Sequence, residues 1–259
     1  MFKGYTELVV EQQKKLLLVQ FNNPKKKNCL NRFAYIEITR VLCEAAQEDQ
    51  VTIVVFTGTG DFYSAGNDLS QFENVNDLEA SITESIKIFK EMVKAFVECP
   101  KVIVSLVNGP CIGIGTTLAG LSDMVWCSKK AYFTTPFVKL GIVPEAASSY
   151  MFPLIMGRSK ATEMLLFGEK LLPHEALQYH FVSRVYKPSE LNTVIWPKLI
   201  AFSELPPQSL QISKTLLRNH EKSNILQAIH SECDELYKRF HSEEFFDAII
   251  RFNTKKSNL

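Results

Sequence analysis

Long hydrophobic runs are missing from this sequence. No segment has the roughly 18 consecutive apolar residues that a membrane-spanning helix needs, so no membrane span is predicted. An excess of one charge is missing as well, because 29 lysine and arginine residues stand against 28 aspartate and glutamate residues, for a formal net charge of +1. No global field favours nucleic acid, and no nucleic-acid partner is expected. Any binding of a phosphorylated ligand must depend on local lysines.

Paired cysteines are also missing. The six cysteines lie singly in apolar contexts, without a CxxC pair and without a histidine at ligand spacing. This pattern favours reduced thiols in the core of an intracellular protein. The five histidines are scattered through the carboxyl-terminal part of the sequence, mostly beside charged residues. No metal site is therefore predicted, and no histidine is assigned to catalysis.

The composition is that of a globular chain. Hydrophobic residues make up 46% of the sequence and charged residues 22%, which argues against disorder. A chain of 259 residues can form one large domain or a domain with a smaller appendage. The sequence contains neither an internal repeat nor a low-complexity linker that would mark a boundary.

Short strands and amphipathic helices alternate over the first 190 residues. Apolar and β-branched runs predict two strands within 5–21 and further strands over 51–56, 102–107, 124–127, 132–133 and 182–185. Helical spacing of apolar residues predicts helices over 33–47 with Asn31 as the cap, from Asp77 or Ser81 to Cys99, over 153–167, and from Pro173. From 190 to 252 the pattern is helical, with a break at Pro206-Pro207. We therefore expect an α/β core of β-β-α units over residues 1–190 and a helical region over residues 191–259.

Glycine-containing turns follow two of the predicted strands. The strand over 102–107 leads into Gly109, Gly113 and Gly115 and then into a helix start of small residues. The strand over 51–56 leads into a second turn, which carries Gly66. Two such turns, one of them at a helix N-terminus, can aim two backbone N–H groups at one oxygen and stabilise an oxyanion. Glycine turns also close strands in many α/β proteins, and the pattern alone leaves this plainer interpretation open.

Glu145 and the lysine run at 25–27 each have two interpretations. Glu145 follows Pro144 in an apolar setting, where it can take part in proton transfer or simply begin a helix. The run Lys25-Lys26-Lys27 forms either a solvated turn or a point-charge site for a ligand phosphate. A nucleotide site is disfavoured, because Gly113-x-Gly115 lacks a third glycine and the sequence has no GxxxxGK(S/T) phosphate loop.

Four motifs, in order along the chain, carry a resemblance to a known family. They are NNPKKKNCLN at 22–31, FYSAGNDL at 62–69, VNGPCIGIG at 107–115 and LGIVPE at 140–145. With these motifs the sequence resembles the crotonase superfamily, the enoyl-CoA hydratase/isomerase group, over nearly its whole length. The resemblance implies a crotonase-like spiral of β-β-α units, a helical carboxyl-terminal trimerisation region, and a homotrimer or hexamer. It also implies an acyl-CoA substrate and no separate cofactor, since CoA is part of the substrate.

The resemblance also implies roles for particular residues. The two N–H groups of the family's oxyanion hole fall on Asn67 and Ile114. The single catalytic glutamate of the peroxisomal-type Δ3,Δ2-enoyl-CoA isomerases falls on Glu145. The two glutamates of the hydratases fall on Thr117 and Phe137, neither of which can act as a general base. The substrate-binding positions fall on Lys25, Lys27, Ser64, Ala65, Gly66, Asn67, Asp68 and Gly113.

The activity implied by these positions is isomerisation. The enzyme would convert 3-enoyl-CoA to 2-trans-enoyl-CoA in fatty-acid β-oxidation, with Glu145 as the proton shuttle beside a two-amide oxyanion hole. A hydratase of the same family is one alternative, and the missing second glutamate argues against it. A non-catalytic acyl-CoA-binding protein of this fold is the other, and the presence of Glu145 argues against that one.

The ends of the sequence bear on location. The amino-terminal segment carries Glu7 and Glu11 and leads into a strand, unlike a signal or transit peptide. The last three residues, Ser257-Asn258-Leu259, differ at one position from the S-K-L peroxisomal address. We therefore expect a peroxisomal protein whose carboxyl terminus binds the import receptor. The alternative is a mitochondrial or cytosolic protein with a polar tail of no consequence.

Overall fold

Strands and helices alternate up to residue 186, and helices alone follow. The structure is a computed structural model that describes residues 2–69 and 77–257, without the side chains of 252–257. Its strands are β1 (Leu8–Gln13), β2 (Leu16–Phe21), β3 (Ile53–Gly58), β4 (Val102–Val107), β5 (Cys111–Ile112), β6 (Met124–Ser128), β7 (Phe133–Thr134) and β8 (Arg184–Tyr186). Its α-helices are α1 (Arg32–Gln47), α2 (Leu78–Glu98), α3 (Ile114–Leu121), α4 (Ser148–Met156), α5 (Arg158–Leu165), α6 (Pro173–Gln178), α7 (Trp196–Ser203), α8 (Pro207–Phe240) and α9 (Glu243–Ser257).

Six of the strands form one sheet in the order β1-β2-β3-β4-β6-β8. The first pair is antiparallel and every later pair is parallel. Because β3 and β4 run in the same direction, with Val54 opposite Ile103, their carboxyl ends lie at the same edge. The segments that leave these strands therefore start side by side. β5 and β7 pair with each other in a separate two-stranded sheet.

Both faces of the sheet are covered. Successive side chains of a strand point to opposite faces. Val54 and Phe56 of β3 accordingly belong to the main core, which includes side chains of α1, α2 and α3. Ile53 and Val55 belong to a second cluster that also contains Leu199 of α7. This double burial explains why β3 is an unbroken apolar run instead of an alternating one.

The helical carboxyl-terminal region closes over this core. α8 begins at Pro207, at the predicted break in the helical region, and packs against α2 and α4. In the described part of the chain, no helix is both long enough and apolar enough to cross a membrane. The expected α/β organisation with a helical carboxyl-terminal region is confirmed. The division of the chain at residue 190 stays a prediction.

Each of the first two helices has a predicted residue as its cap. The side chain of Asn31 accepts a hydrogen bond from the N–H of Ala34 at 2.9 Å and so caps α1. Asp77, and not Ser81, caps α2, because its carboxylate accepts the N–H of Ala80 at 3.0 Å. Caps of this kind satisfy N–H groups that have no partner inside the helix.

Some predicted boundaries are wrong. The strand expected over 51–56 is Ile53–Gly58. The helix expected over 153–167 is divided into α4 and α5 at Gly157, where φ is 78°, and Pro153 lies inside α4. The apolar spacing continues across the break because both helices contribute buried residues to the main core. The strand expected over 182–185 is Arg184–Tyr186. It starts late because the N–H of Val182 bonds to the carbonyl of Ala176 in the turn after α6.

Asn28 joins the loop after β2 to the loop after β3. Its side chain is fully buried, donates to the carbonyl oxygens of Thr59 at 2.8 Å and Phe62 at 2.7 Å, and accepts the N–H of Asn23 at 3.0 Å. Its backbone has φ of 54°, in the left-handed region that asparagine tolerates better than most residues. One side chain therefore fixes how these two loops lie together.

Replacing Asn28 with alanine should destabilise the protein. The change removes the Asn28 donors to two partly buried carbonyl groups and the acceptor of one N–H, which should lower the free energy of unfolding by about 2–4 kcal/mol. Urea unfolding followed by circular dichroism measures the difference. Asn22→Ala is the matched control, since Asn22 is exposed and only its backbone N–H is bonded. The control should stay within about 0.5 kcal/mol of the unmodified protein, and an equal loss in both variants would contradict the role of Asn28.

Candidate active site

Two glycines bring the loops after β3 and β4 into direct contact. Gly66 has φ of 93° and Gly113 has φ of 54°. Residues that have a Cβ rarely adopt these backbone conformations. A Cβ on Gly113 would lie 3.7 Å from the Cα of Gly66. A Cβ on Gly66 would lie only 3.1 Å from the carbonyl oxygen of Ile112. The next residues, Asn67 and Ile114, are those whose N–H groups the sequence predicts to form an oxyanion hole.

The loop that carries Gly66 is held by hydrogen bonds from Ser64 and Ala65 to neighbouring segments. Ser64 Oγ donates to the carbonyl of Asn28 at 2.8 Å and accepts the N–H of Gly66 at 3.1 Å. The N–H of Ala65 bonds to the carbonyl of Lys27 at 2.9 Å. Across the gap, the carbonyl of Ser64 accepts the N–H of Ile112 at 2.9 Å. Ser64 and Ala65 are both predicted to bind substrate. Their hydrogen bonds fix the backbone of the loop that contains Asn67.

The N–H of Ile114 is the first of helix α3. The first N–H groups of a helix have no acceptor within it, and no described residue accepts a hydrogen bond from this one. The N–H groups of Thr116 and Thr117 bond to the carbonyl of Gly113. Gly115 lets the helix approach the neighbouring loop, because a Cβ there would lie 2.9 Å from the Cβ of Ser64.

The N–H of Asn67 faces away from the strand-like segment at Leu30. Leu30 forms a parallel bridge with Asn67, in which Leu30 bonds to the residues on either side of it: its N–H to Gly66 and its carbonyl to Asp68. In such a bridge the N–H of the middle residue points to the opposite side. The side chain of Asn67 is also positioned, since its Oδ1 accepts the hydroxyl of the buried Tyr35 at 3.3 Å.

Glu145 lies in a cleft next to Asn67. The cleft runs between α1, α2 and α8, and its walls are mainly apolar and aromatic. Its lining residues are Arg32, Tyr35, Asn67, Ser85, Ile86, Phe89, Glu145, Leu236 and Phe240. Glu145 is the one carboxylate among these described lining residues. Burial, and secondly the negative charge of Glu232, raise the pKa of the Glu145 carboxyl from 4.5 to about 8.

The segment after Glu145 is strained. Ala146 and Ala147 have φ of 54° and 58°, in the left-handed region that costs an alanine about 1–2 kcal/mol. The carboxylate of Glu232, which is buried in α8, accepts the N–H of Ala147 at 2.6 Å and of Ser149 at 2.9 Å. No role for Glu232 is predicted from the sequence, although its place in the apolar stripe of α8 marks a charge inside the core.

The positions of the hydratase glutamates carry no base. Thr117 is buried and donates its hydroxyl to the carbonyl of Ile114 at 3.1 Å. Phe137 is buried in the main core. Neither contributes a group that can ionise near the cleft. Among the described residues, no group of three histidine, cysteine, aspartate or glutamate side chains is arranged to hold a metal ion.

The lysine run lies at the edge of the same site. Lys25 and Lys27 are exposed on the turn after β2, and the ammonium of Lys27 lies 5.3 Å from the centre of the Phe62 ring. Lys26 forms an ion pair with Asp68 at 2.8 Å, and this carboxylate raises the pKa of the lysine. Asp68, predicted to bind substrate, is therefore engaged in tying the lysine turn to the loop of Asn67.

The fold and this site define a protein of the crotonase type. The family model for enoyl-CoA hydratase/isomerase matches residues 11–258, and the chain belongs to that family. Enoyl-CoA delta isomerase 2 of Homo sapiens is 41% identical over 258 residues, covering 99% of this chain and 65% of the human protein. Enoyl-CoA delta isomerase 3, peroxisomal, of Mus musculus is 40% identical over 252 residues, covering 97% of this chain and 79% of the mouse protein. This chain thus spans just under two thirds of the length of the human relative.

A solved structure shares the fold over nearly the whole chain. The enoyl-CoA hydratase/isomerase from Pseudoalteromonas atlantica T6c superimposes with a TM-score of 0.88 at 34% identity. The match covers 96% of this chain and 98% of that one. The crotonase-like fold predicted from the four motifs is confirmed.

The carboxyl of Glu145 should titrate near pH 8 instead of near 4.5. The physical reason is that burial disfavours the charged form of a carboxyl group. Carbon-13 NMR of glutamate-labelled protein measures the titration, and the resonance is assigned by its absence in Glu145→Gln. A midpoint near 4.5 would show that the cleft is better hydrated than the structure indicates.

Proposed function

We propose that the protein is a Δ3,Δ2-enoyl-CoA isomerase that converts 3-enoyl-CoA to 2-trans-enoyl-CoA in fatty-acid β-oxidation. The observation that carries the proposal is a single carboxylate, Glu145, in an apolar cleft beside the adjoining turns of Asn67 and Ile114. Membership of the enoyl-CoA hydratase/isomerase family supports an acyl-CoA substrate. The isomerase names of the human and mouse relatives support the reaction.

The reaction needs one base and one oxyanion site. The thioester oxygen of the substrate accepts hydrogen bonds from the N–H groups of Asn67 and Ile114. Glu145 removes a proton from C2, the C3–C4 double bond shifts to C2–C3, and the negative charge of the dienolate intermediate rests on the thioester oxygen. The protonated Glu145 then returns a proton to C4. Loss of one oxyanion donor typically costs about 2.7–4 kcal/mol of transition-state stabilisation, so both N–H groups are essential to this mechanism.

The environment of Glu145 suits this proton shuttle. A general base works best when its pKa is close to the pH at which the enzyme operates, and the pKa of Glu145 is raised to about 8. Its conjugate acid is then present after the first step and strong enough to protonate C4. The apolar lining limits the water that could add to the product or exchange the proton.

Binding of the CoA part falls to the lysine edge of the site. Lys25 and Lys27 are exposed at the edge where the loop of 64–68 begins, which suits the phosphates of CoA. Gly66 and Gly113 let the two turns that carry the proposed thioester-binding N–H groups meet closely. No separate cofactor is needed, because the proposed reaction only moves a proton and a double bond.

The two alternatives make different demands on the site. A hydratase needs a second carboxylate to orient water, and Thr117 and Phe137 occupy those positions. A non-catalytic binding protein has no need of a partly buried carboxylate with a raised pKa, and Glu145 is one. Both observations favour the isomerase.

Incubation with 3-enoyl-CoA should give 2-enoyl-CoA far faster than incubation with 2-trans-enoyl-CoA gives the hydrated product. Glu145→Gln keeps the shape of the side chain and removes its basicity, so it should abolish isomerisation. Affinity for a saturated acyl-CoA, measured by calorimetry, should be largely kept in this variant.

Three outcomes would contradict the proposal. Hydration as fast as isomerisation would mean that another group activates water. Turnover close to that of the unmodified protein in Glu145→Gln would remove Glu145 from the role of base. Tight acyl-CoA binding without conversion of either substrate would favour the non-catalytic alternative.

We propose a peroxisomal location, supported by the mouse relative's name and by the tail Ser257-Asn258-Leu259. This tail lies outside the residues whose side chains the structure describes. Because asparagine replaces the cation of S-K-L, import should be detectable but weaker than with a lysine at position 258. Amino-terminally tagged protein, with and without the last three residues, tests this in cells. Identical distribution of the two forms between peroxisomes and cytosol would contradict the assignment.

A homotrimer or hexamer stays a prediction. Apolar side chains exposed on α8 support it, since Leu216 is 68% and Leu217 78% accessible in the single chain. Light scattering in solution tests it, and a monomeric mass would contradict it.

A further inference from the structure

A buried carboxylate bonds to the turn that follows the candidate base. Glu232 is on α8 and is only 6% exposed. Both of its oxygens accept backbone hydrogen bonds: Oε2 from Ala147 at 2.6 Å and Oε1 from Ser149 at 2.9 Å. These donors are at the start of α4, whose cap residue Ala147 supplies no side-chain bond of its own. A glutamate 85 residues further along the chain therefore caps this helix.

These bonds fix the turn that presents Glu145. Ala146 and Ala147 hold left-handed conformations that alanine adopts only when surrounding contacts impose them. The carbonyl of Glu145 accepts the N–H of Ser148 at 3.1 Å, which ties the base to the same helix start. The segment before Glu145 is also bonded to α8, because Arg239 donates to the carbonyl of Gly141 at 3.0 Å. The position of Glu145 thus depends on α8.

The charge of Glu232 acts on the base as well. The titratable groups that face Glu145 are Tyr35 of α1, Glu232 and Cys233 of α8, and Arg32 at the cleft. Tyr35 and Cys233 are buried with raised pKa values, chiefly because of burial, and are neutral at physiological pH. Burial also raises the pKa of Glu232, while the hydrogen bonds from Ser149 and Ala147 oppose that shift. Glu232 is the carboxylate of this set.

We propose that Glu232 is a positioning residue for catalysis: its carboxylate holds the strained turn that aims Glu145 into the cleft. The inference rests on the proposed function only in taking Glu145 as the base. The charge of Glu232 also raises the pKa of Glu145, and two substitutions separate this electrostatic effect from the geometric one.

Glu232→Gln removes the charge and turns one acceptor into an NH₂ group that opposes a backbone N–H. The Glu145 resonance should titrate at lower pH than in the unmodified protein, because a like charge has been removed. The acidic limb of kcat/KM should move to lower pH with it. kcat should fall roughly 10- to 100-fold, the scale typical of a slightly misplaced catalytic group, with little change in KM.

Glu232→Asp keeps the charge and draws the carboxylate back by one methylene. The titration of Glu145 should stay close to that of the unmodified protein, while kcat should still fall because the turn is no longer held at the same distance. If Glu232→Gln does not fold, this variant decides alone, and an unchanged kcat in it would overturn the positioning role. In folded Glu232→Gln, a Glu145 titration that does not move would overturn the electrostatic one.

Glu37→Gln is the matched control. The Glu37 carboxylate of α1 also accepts backbone N–H groups, from Thr6 at 2.8 Å, Glu7 at 2.9 Å and Leu8 at 3.2 Å, but is not part of the cleft. This variant should lose stability without moving the titration of Glu145, and an equal movement would overturn the inference. Since NMR reads the titration without turnover, an unmodified protein that fails to isomerise would refute the proposed function alone.

Discussion

The site depends on the contact between two backbone turns at Gly66 and Gly113. A Cβ on either glycine would lie 3.7 Å from the Cα of the other, so the two turns meet backbone to backbone, without side chains between them. The parallel pairing of β3 and β4 brings both turns to one edge of the sheet. Asn28 and Ser64 then hold the first turn by buried hydrogen bonds. In the proposed mechanism this contact brings the N–H groups of Asn67 and Ile114 to one oxygen.

Glu145, the proposed base beside these turns, is held in an unfavourable state by the rest of the fold. Its apolar surroundings raise the pKa of Glu145, and two left-handed alanines follow it. Such features persist only where the surrounding structure imposes them. Here the imposing element is α8, through Glu232 and the packing of α8 against α2 and α4. The helical carboxyl-terminal region therefore contributes to the candidate site as well as to the core.

The parts of this arrangement that follow from local sequence could be predicted. Glycines at strand ends, the cap at Asn31 and the isolated Glu145 are each visible in a few consecutive residues. The role of Glu232 could not be predicted, because it acts on residues that precede it by 85 positions and only the packing of α8 brings it there. The pairing of Lys26 with Asp68 is likewise a contact between distant loops. The break at Gly157 was hidden because both helices continue the same apolar spacing.

The structure of the protein with a bound saturated acyl-CoA would test the account most directly. We expect the thioester oxygen about 2.7–3.1 Å from the nitrogens of both Asn67 and Ile114. We expect C2 of the acyl group about 3–3.5 Å from a carboxylate oxygen of Glu145. A thioester bound elsewhere, or turned so that Glu145 cannot reach both C2 and C4, would contradict the proposed mechanism.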